Sequence, residues 1–281
     1  MTSNSLTTVV CSYVISPEDI AKLLSDYGRR LGVYFHGVII VNGRHELTGV
    51  GAAWTVKRGS NKEFEFSAYQ EGLEVLGLTG ENGPSVVLFI NDTAFQKHHC
   101  LDVVRSLMPY RGPVADCVVP AMAGKGDLYD NICYRNPWSG LPVYLSTFCF
   151  LLNRLALSVF TGILAYGNAD LGNNTIDLED PAWGHQLETT FRVYLLCHLN
   201  YPGISNTWYQ LIEKRNNRSL INQKARCVYY EHRLSGDIGA NGVLFNIYPT
   251  PRKKWQFFLR EQQAKISRRI FSLWRFHRHE P

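Results

Sequence analysis

The residues with the clearest potential for chemistry lie near the end of the stretch 85–138. Tyr134 stands there among polar side chains, beside Arg135 and downstream of a glycine–lysine–glycine sequence centred on Lys125. A tyrosine hydroxyl is one of the side-chain groups that form covalent intermediates in enzymes. What Tyr134 can do therefore depends on the elements that position it, and a tyrosine packed under a sheet is the alternative interpretation.

The elements before Tyr134 follow a simple order. Residues 85–90 form an apolar run short enough for one buried strand. Thr93 and Gln96 have the spacing of a capping box, so we expect a helix to begin there and to continue to about residue 108. A second apolar run at 117–120 predicts a strand, and the glycine–lysine–glycine sequence predicts a turn after it.

The chain upstream also alternates between strands and helices. Ser16 followed by Pro17 is a strong helix start. A short turn at Asn42 predicts a hairpin between residues 33–41 and 49–56. Two further strands are expected at 7–15 and 64–66, and a loop at 69–84. This alternation through about residue 155 predicts an α/β or α+β domain with a central sheet.

The order strand, helix, strand, glycine–lysine turn and tyrosine resembles the nuclease domain of parvovirus Rep replication initiators, which belong to the His-hydrophobe-His endonucleases. The resemblance covers roughly residues 5–160 and is one of order and spacing. It implies an α+β fold with a central, mainly antiparallel sheet flanked by helices. It also implies a helix that carries Tyr134 as the nucleophile of metal-dependent DNA nicking.

The metal-binding histidines of that family are not matched in this chain. Ser85 and Val87 stand at the corresponding positions and cannot ligate a metal, although Glu63, Glu65 or Glu74 offers an acid. We therefore expect no metal site and no cofactor, with Mg²⁺ or Mn²⁺ required only if nicking is retained. A degenerate nuclease is favoured over an active one.

The second half of the chain predicts mostly helices. The expected organisation is a nuclease-like domain at 1–160, a linker at 161–184, a helical segment at 185–235 and a basic amphipathic tail at 236–281. The helical segment resembles the oligomerisation region that precedes the helicase of parvovirus Rep proteins. No Gly-x-x-x-x-Gly-Lys-[Ser/Thr] sequence occurs, so no ATPase activity is expected. The chain as a whole is similar to the helicase-less Rep-like proteins of avian adenoviruses.

Charge is distributed unevenly along the chain. Residues 251–281 contain nine lysines and arginines and two glutamates, whereas the other 250 residues carry 20 basic and 22 acidic side chains. Residues 251–281 therefore carry a charge of +7 and the other 250 residues −2, which suggests contact with nucleic acid, an anionic membrane or an acidic partner. We expect the apolar stripe of the tail, which includes Trp255, Phe258, Leu259 and Ile266, to dock on the body with the basic side outward.

The apolar stretch 143–166 is long enough to suggest a membrane span, but Arg154 lies at its centre. An arginine there costs about 2.5–3.5 kcal/mol on insertion. A buried helix is therefore favoured. The seven cysteines are odd in number and never spaced as Cys-x-x-Cys, which favours reduced thiols in an intracellular protein.

These features predict a DNA-binding protein that acts in viral DNA replication or gene regulation in the host nucleus. The candidate phosphate contacts are basic residues around the predicted site, whose alternative role is that of solvated surface charge: Lys97, Arg105, Arg111, Lys125 and Arg135. The alternative function is a non-enzymatic accessory protein that binds host proteins on a degenerate nuclease scaffold. Further copies of the same chain are additional candidate partners.

Overall fold

The computed structural model describes most of the chain. The described residues are 4–47, 49–78, 83–97, 99–129, 132–171, 183–200 and 218–247, with Arg252, Lys254, Trp255, Phe258, Leu259, Gln262 and Ile266. Their strands are β1 (Ser5–Ser12), β2 (Tyr34–Val41), β3 (Trp54–Arg58), β4 (Val86–Asn91), β5 (Ala121–Leu128), β6 (Val143–Asn153) and β7 (Val243–Ile247). Their helices are α1 (Pro17–Leu31), α2 (Phe64–Val75), α3 (Thr93–Lys97), α4 (Cys100–Leu107), α5 (Arg111–Asp116), α6 (Arg154–Leu171), α7 (Thr189–Asn200) and α8 (Arg218–Asn241).

The seven strands form one sheet in the order β3-β2-β1-β4-β6-β5-β7. Strands β3, β2, β1 and β4 are mutually parallel, and β5 is parallel to β7. Only β6 runs in the opposite direction, because it pairs antiparallel with both β4 and β5. Helices flank this sheet, which confirms the predicted α+β class.

The expectation of a mainly antiparallel sheet is wrong, because the sheet is mostly parallel. The predicted hairpin is one example. Strands β2 and β3 pair in parallel, with Gly37 opposite Trp54, and the described residues between them form no helix. Helix α1 connects β1 to β2, and α2 connects β3 to β4. Parallel strands need crossover connections, and strands covered on both faces are nearly continuously apolar, as β4 is from Val86 to Ile90.

Several local predictions also differ from the structure. Phe66 begins no strand but lies in α2 with Tyr69 and Leu73, at a spacing that places all three on one buried helical face. The expected loop at 69–84 is therefore helical as far as Val75. The helix predicted from Thr93 to residue 108 is divided into α3 and α4 at His99, which has a positive φ.

The glycine–lysine–glycine sequence forms no turn. It lies inside β5, where the register shifts between Gly124 and Gly126, which indicates a bulge. The Cβ of any larger residue at position 126 would lie 2.6 Å from the Asn246 side chain, whose Oδ1 accepts a 2.8 Å bond from the Gly126 amide. Glycine is therefore needed there for close packing against β7 and not for a turn.

The apolar stretch 143–166 is not one buried helix, because it divides at Asn153 into strand β6 and helix α6. The Asn153 Oδ1 accepts 2.9 Å bonds from the amides of Ala121 and Ala156. Its Nδ2 donates to the carbonyl oxygens of Cys117 and Val119. One buried amide thus begins α6 and holds the start of β5. No helix within the described ranges has both the length and the apolar character needed to cross a membrane.

The sheet separates two buried clusters. On one face, α2, α6, α7 and α8 cover an aromatic core in which Phe89 of β4 stacks on Phe150 of β6 at 4.9 Å. On the other face, α1, α4 and α5 cover aliphatic side chains such as Leu24, Ile39 and Val104. Helices from the predicted helical segment, including Tyr194 and Tyr230, belong to the first cluster together with strand residues of the predicted nuclease-like domain.

We predict that Asn153→Ala destabilises the protein by about 3 kcal/mol. The substitution removes a helix cap and leaves buried amide and carbonyl groups without partners. Urea unfolding followed by circular dichroism measures the change. Asn241→Ala is the matched control, since Asn241 is exposed at the end of α8 and makes one local bond. Equal stability of the two variants would contradict the role assigned to Asn153.

Candidate functional site

The strand order reverses between β1 and β4, and this is where open α/β sheets usually bind ligands, beyond the carboxyl ends of the strands. In this protein a carboxylate of the chain itself lies there. Asp92 follows β4, is 2% exposed, and accepts hydrogen bonds through one oxygen from the amides of Tyr13, Val14 and Ile15. The distances to the Tyr13 and Ile15 nitrogens are 2.7 and 3.0 Å.

The loop that carries these amides leads directly into α1. Ser16 caps the helix by accepting a 3.1 Å bond from the Asp19 amide, and Pro17 is its first residue. Consecutive amides that converge on one point form an anion-binding concavity, and the positive end of the helix strengthens it. Asp92 occupies this concavity, so a phosphate group would have to displace a buried carboxylate to bind there.

Further polar side chains follow the carboxyl ends of β1, β2 and β3. The Tyr13 hydroxyl contacts the Asn61 side chain. The side-chain Nδ2 of Asn42 donates a 3.0 Å bond to the Phe64 carbonyl oxygen and a 3.5 Å bond to the Tyr13 hydroxyl. Cys11 is fully buried beneath them, and burial raises the pKa of its thiol well above the usual range. A thiol held protonated in this way is a poor nucleophile. We call Tyr13, Asn42, Asn61 and Asp92 the filled crevice.

A second carboxylate lies between α8 and β6. Glu231 accepts a 3.0 Å bond from the Thr147 amide and a 2.8 Å bond from the Thr147 hydroxyl. Burial raises the pKa of Glu231 to about 7, and the negative charges of Asp127 and Glu65 contribute to the rise, against the bonds from Thr147. Lys125 pairs with Asp127 at 3.0 Å. The two hydrogen bonds that Glu231 accepts attach α8 to the sheet, so we interpret the role of Glu231 as structural.

Tyr134 lies in the connection between β5 and β6 and not on a helix. It is half-buried, between buried Cys133 and exposed Arg135. The connection is held by Asn136, whose Nδ2 donates 2.8 Å bonds to the Tyr129 hydroxyl and to the His232 carbonyl oxygen. The position of Tyr134 therefore differs from the helical nucleophile that the resemblance implies. Within the described residues, His, Cys, Asp and Glu form no group of three that could hold a metal ion.

The five predicted cations lie on separate elements. Lys97 ends α3, Arg105 is on α4, Arg111 begins α5, Lys125 is in β5 and Arg135 is in the β5–β6 connection.

Three of these cations also contact other groups of the chain. Arg105 pairs with Asp102 at 2.8 Å, and Lys125 pairs with Asp127. Arg111 donates a 3.0 Å bond to Asn4 and a second bond to the Ser5 carbonyl oxygen. Arg105 and Arg111 belong to helices over the aliphatic cluster, whereas Arg135 follows Cys133 of the aromatic cluster. Arg105 and Arg111 therefore lie over the other cluster from the one that includes Cys133, the neighbour of Tyr134.

The C-terminal segment (residues 251–281) differs most from expectation. Its described residues have helical conformation, and the four described members of the predicted apolar stripe are exposed and do not dock on the body. Trp255 is 66% exposed, Ile266 59%, Leu259 56% and Phe258 48%. The neighbouring Arg252 and Lys254 are exposed as well. The described residues of this segment therefore combine exposed aromatic and basic side chains.

Sequence reasoning missed the role of Asp92 and of Glu231. Asp92 precedes Thr93, so its position suggested only a helix start, and its partners in residues 13–15 are distant in the chain. Glu231 lies in a helical segment whose contact with Thr147 depends on tertiary packing. No signal in the sequence could have identified either pair.

Comparison of the chain with models of known protein families, with curated proteins and with solved structures gave no match. The arrangement of residues is therefore the basis on which function has to be argued. The two features that matter most are the filled crevice and the exposed C-terminal segment.

We predict that Asp92→Ala destabilises the protein by about 3 kcal/mol, since three amides lose a charged acceptor. Sulfate should recover part of this loss, because the emptied concavity can accept an anion. Thermal unfolding with sulfate, compared with chloride at equal ionic strength, measures both effects. Asp102→Ala, which removes an exposed carboxylate, is the control. If sulfate stabilises both variants equally, the concavity does not bind anions.

Glu231 predicts a dependence of stability on pH. Its pKa is raised from 4.5 to about 7 in the folded protein, so the folded state binds the proton more tightly than the unfolded state does. The contribution of Glu231 to the free energy of unfolding is therefore fully present below pH 4.5. It is lost as the pH rises through 7, and the loss is on the order of 2 kcal/mol. Urea unfolding between pH 5 and 8 should show this fall in the native protein and not in Glu231→Gln. Glu46→Gln, at an exposed loop position, should keep the native profile.

Proposed function

We propose that this protein binds single-stranded DNA through its C-terminal segment and does not nick it. The observation that carries the proposal is the exposure of Trp255 and Phe258 on a helix that also presents Arg252 and Lys254 to solvent. Proteins that bind single strands combine cations for the phosphates with aromatic rings on which bases stack. The described part of the C-terminal segment supplies both.

Charge supports DNA as the ligand. The C-terminal segment carries +7, whereas the remaining chain is close to neutral. Phosphate contacts with lysine and arginine release counterions and supply affinity without base recognition. The body offers less, because the mostly buried Lys125 is paired with Asp127 and Arg111 donates to groups of its own chain. Binding is therefore expected to depend on the C-terminal segment.

The aromatic rings support a preference for single strands. The Trp255 and Phe258 rings meet edge to face at 5.9 Å, so each leaves a face open to solvent. Bases of a single strand can reach such faces, whereas paired bases in a duplex are stacked on each other. Stacking contributes about 1–3 kcal/mol per base.

The absence of nicking is part of the proposal. Tyr134 lies in a strand connection, and Ser85 and Val87 replace the histidines that the Rep family uses. The Rep-like role in viral DNA replication or gene regulation, and the nuclear location, belong to the same proposal. They rest on the order of the motifs in residues 85–138.

Fluorescence anisotropy with single-stranded, hairpin and duplex probes across a salt series tests DNA binding. We expect the single strand to bind most tightly and its affinity to fall steeply with salt. Arg252→Glu combined with Lys254→Glu should lower the affinity at least about tenfold and reduce the salt slope by about 1.4, which corresponds to two phosphate contacts. Lys22→Glu combined with Arg30→Glu, on the exposed face of α1, is the matched control.

Two results would contradict the proposal. Flat anisotropy for every probe at low salt would exclude DNA as the ligand. A covalent protein–DNA adduct formed with Mn²⁺, and lost in Tyr134→Phe, would exclude the non-catalytic interpretation.

A second candidate function is that of an accessory protein that binds host proteins, and the filled crevice favours it. The usual ligand position of the sheet holds Asp92, so the sheet acts as a support and its outer surfaces remain for partners. Association of several copies of the chain is compatible with either function.

A further inference from the structure

Strand β3 has one side available for pairing. It is the outermost strand of the sheet, and among the described residues it pairs only with β2. The Gly37 amide donates to the Ala53 carbonyl, and the Gly59 amide donates to the Val41 carbonyl. In a parallel pair of strands, the backbone groups of every second residue point toward the neighbouring strand. The amide and carbonyl groups of residues 53, 55, 57 and 59 therefore point toward β2. The amide and carbonyl groups of Val56 and Arg58 therefore face away from the sheet.

A cavity of about 410 Å³ opens beside the start of β3. Its lining includes Leu24 and Gly28 of α1 and Trp54 of β3. Tyr34, which is 60% exposed, stands at the opening and stacks on His36. Leu24 and Trp54 belong to the aliphatic cluster, so the cavity is apolar where it meets the core. A volume of this size accommodates a single large side chain.

One basic side chain lines the cavity and another lies on β3. Arg29 lines the cavity, with 78% of its side chain exposed, and Lys57 is exposed on β3 itself. Arg29 pairs with Asp26, but exposed pairs of this kind contribute little, so another carboxylate can share the arginine. Arg58 donates to the carbonyl oxygens of Gly43 and His45 and holds the preceding loop beside the strand.

We propose that β3 and the adjoining cavity bind an extended peptide segment of a partner protein. The segment pairs with the outer edge of β3 as an additional strand, places one aromatic or large aliphatic side chain in the cavity, and directs acidic residues toward Arg29 and Lys57. The outward-facing amide and carbonyl groups of β3 can pair with an extended backbone. The cavity can hold the apolar side chain, and Arg29 and Lys57 favour acidic residues beside it. This combination is the usual form of recognition by strand addition.

The peptide site is independent of the DNA-binding proposal. It uses β2, β3 and α1, whereas the proposed DNA contacts lie in the C-terminal segment. Loss of one activity therefore leaves the other measurable. A protein that binds peptide but not DNA would support the accessory function alone.

The test selects phage-displayed random dodecapeptides on the full-length protein and then measures synthetic copies of the enriched peptides by fluorescence anisotropy. We expect enriched sequences that contain an aromatic or large aliphatic residue flanked by aspartate or glutamate. Hydrogen exchange of the Val56 and Arg58 amides should slow when peptide is bound. Failure of the library to enrich any sequence would overturn the proposal.

Val56→Pro is the decisive variant. It removes the outward-facing amide without removing a bond to β2, and proline is tolerated on the free side of an edge strand. We expect peptide affinity to fall at least about tenfold while the thermal unfolding profile stays close to that of the native protein. Peptides that bind Val56→Pro as tightly as the native chain would overturn the strand-addition mode.

Two further substitutions separate the cavity from the charges. Tyr34→Ala should weaken binding of all enriched peptides, and Arg29→Glu should weaken acidic peptides by about tenfold. Arg30→Glu is the matched control, since Arg30 is exposed on the same helix but does not line the cavity. Equal losses in Arg29→Glu and Arg30→Glu would show a general charge effect and would overturn the assignment of the acidic residues to Arg29.

Discussion

The contact between Asp92 and the amides of residues 13–15 holds together the part of the sheet on which the fold depends. It joins the end of β4 to the end of β1 and to the loop that leads into α1. A buried carboxylate needs hydrogen-bond donors, and backbone amides withdrawn from water need acceptors, so each group satisfies the other. The other strands of the sheet lie on either side of this contact. On one side it extends through β2 and β3, and on the other through β6, β5 and β7.

The same contact has a consequence for function. An open parallel sheet usually offers its ligands the amides that Asp92 occupies here. With the crevice filled by Asp92, Tyr13 and Asn42, the protein presents other surfaces instead. The described residues of the C-terminal segment and the outer side of β3 lie away from this crevice and are exposed.

The reversed direction of β6 is the second constraint. Its antiparallel pairing with β4 and β5 brings Phe150 over Phe89, and the end of the strand places Asn153 between α6 and β5. Helix α8 then packs on the same face, where Glu231 accepts both hydrogen bonds from Thr147. The helical segment thus shares a buried cluster with the strands that precede it by more than a hundred residues.

The sequence by itself determined the features that depend on neighbouring residues. The start of α1 at Ser16 and Pro17, the buried strand β4 and the helical character of α8 follow from caps and hydrophobic periodicity, which act within a few residues. The α+β class follows from the same local patterns. The charge of the C-terminal segment is also a property of the sequence alone.

Tertiary structure decided strand direction and the pairing of distant polar groups. Short runs such as 33–41 and 49–56 are compatible with a hairpin or with parallel pairing, and only the crossover of the whole chain selects one. Phe64–Val75 became a helix because its apolar residues can cover the sheet in that form. The exposure of Trp255 likewise depends on whether the body offers a surface to cover it. These outcomes are set by contacts across the fold, which the spacing of residues along the chain does not encode.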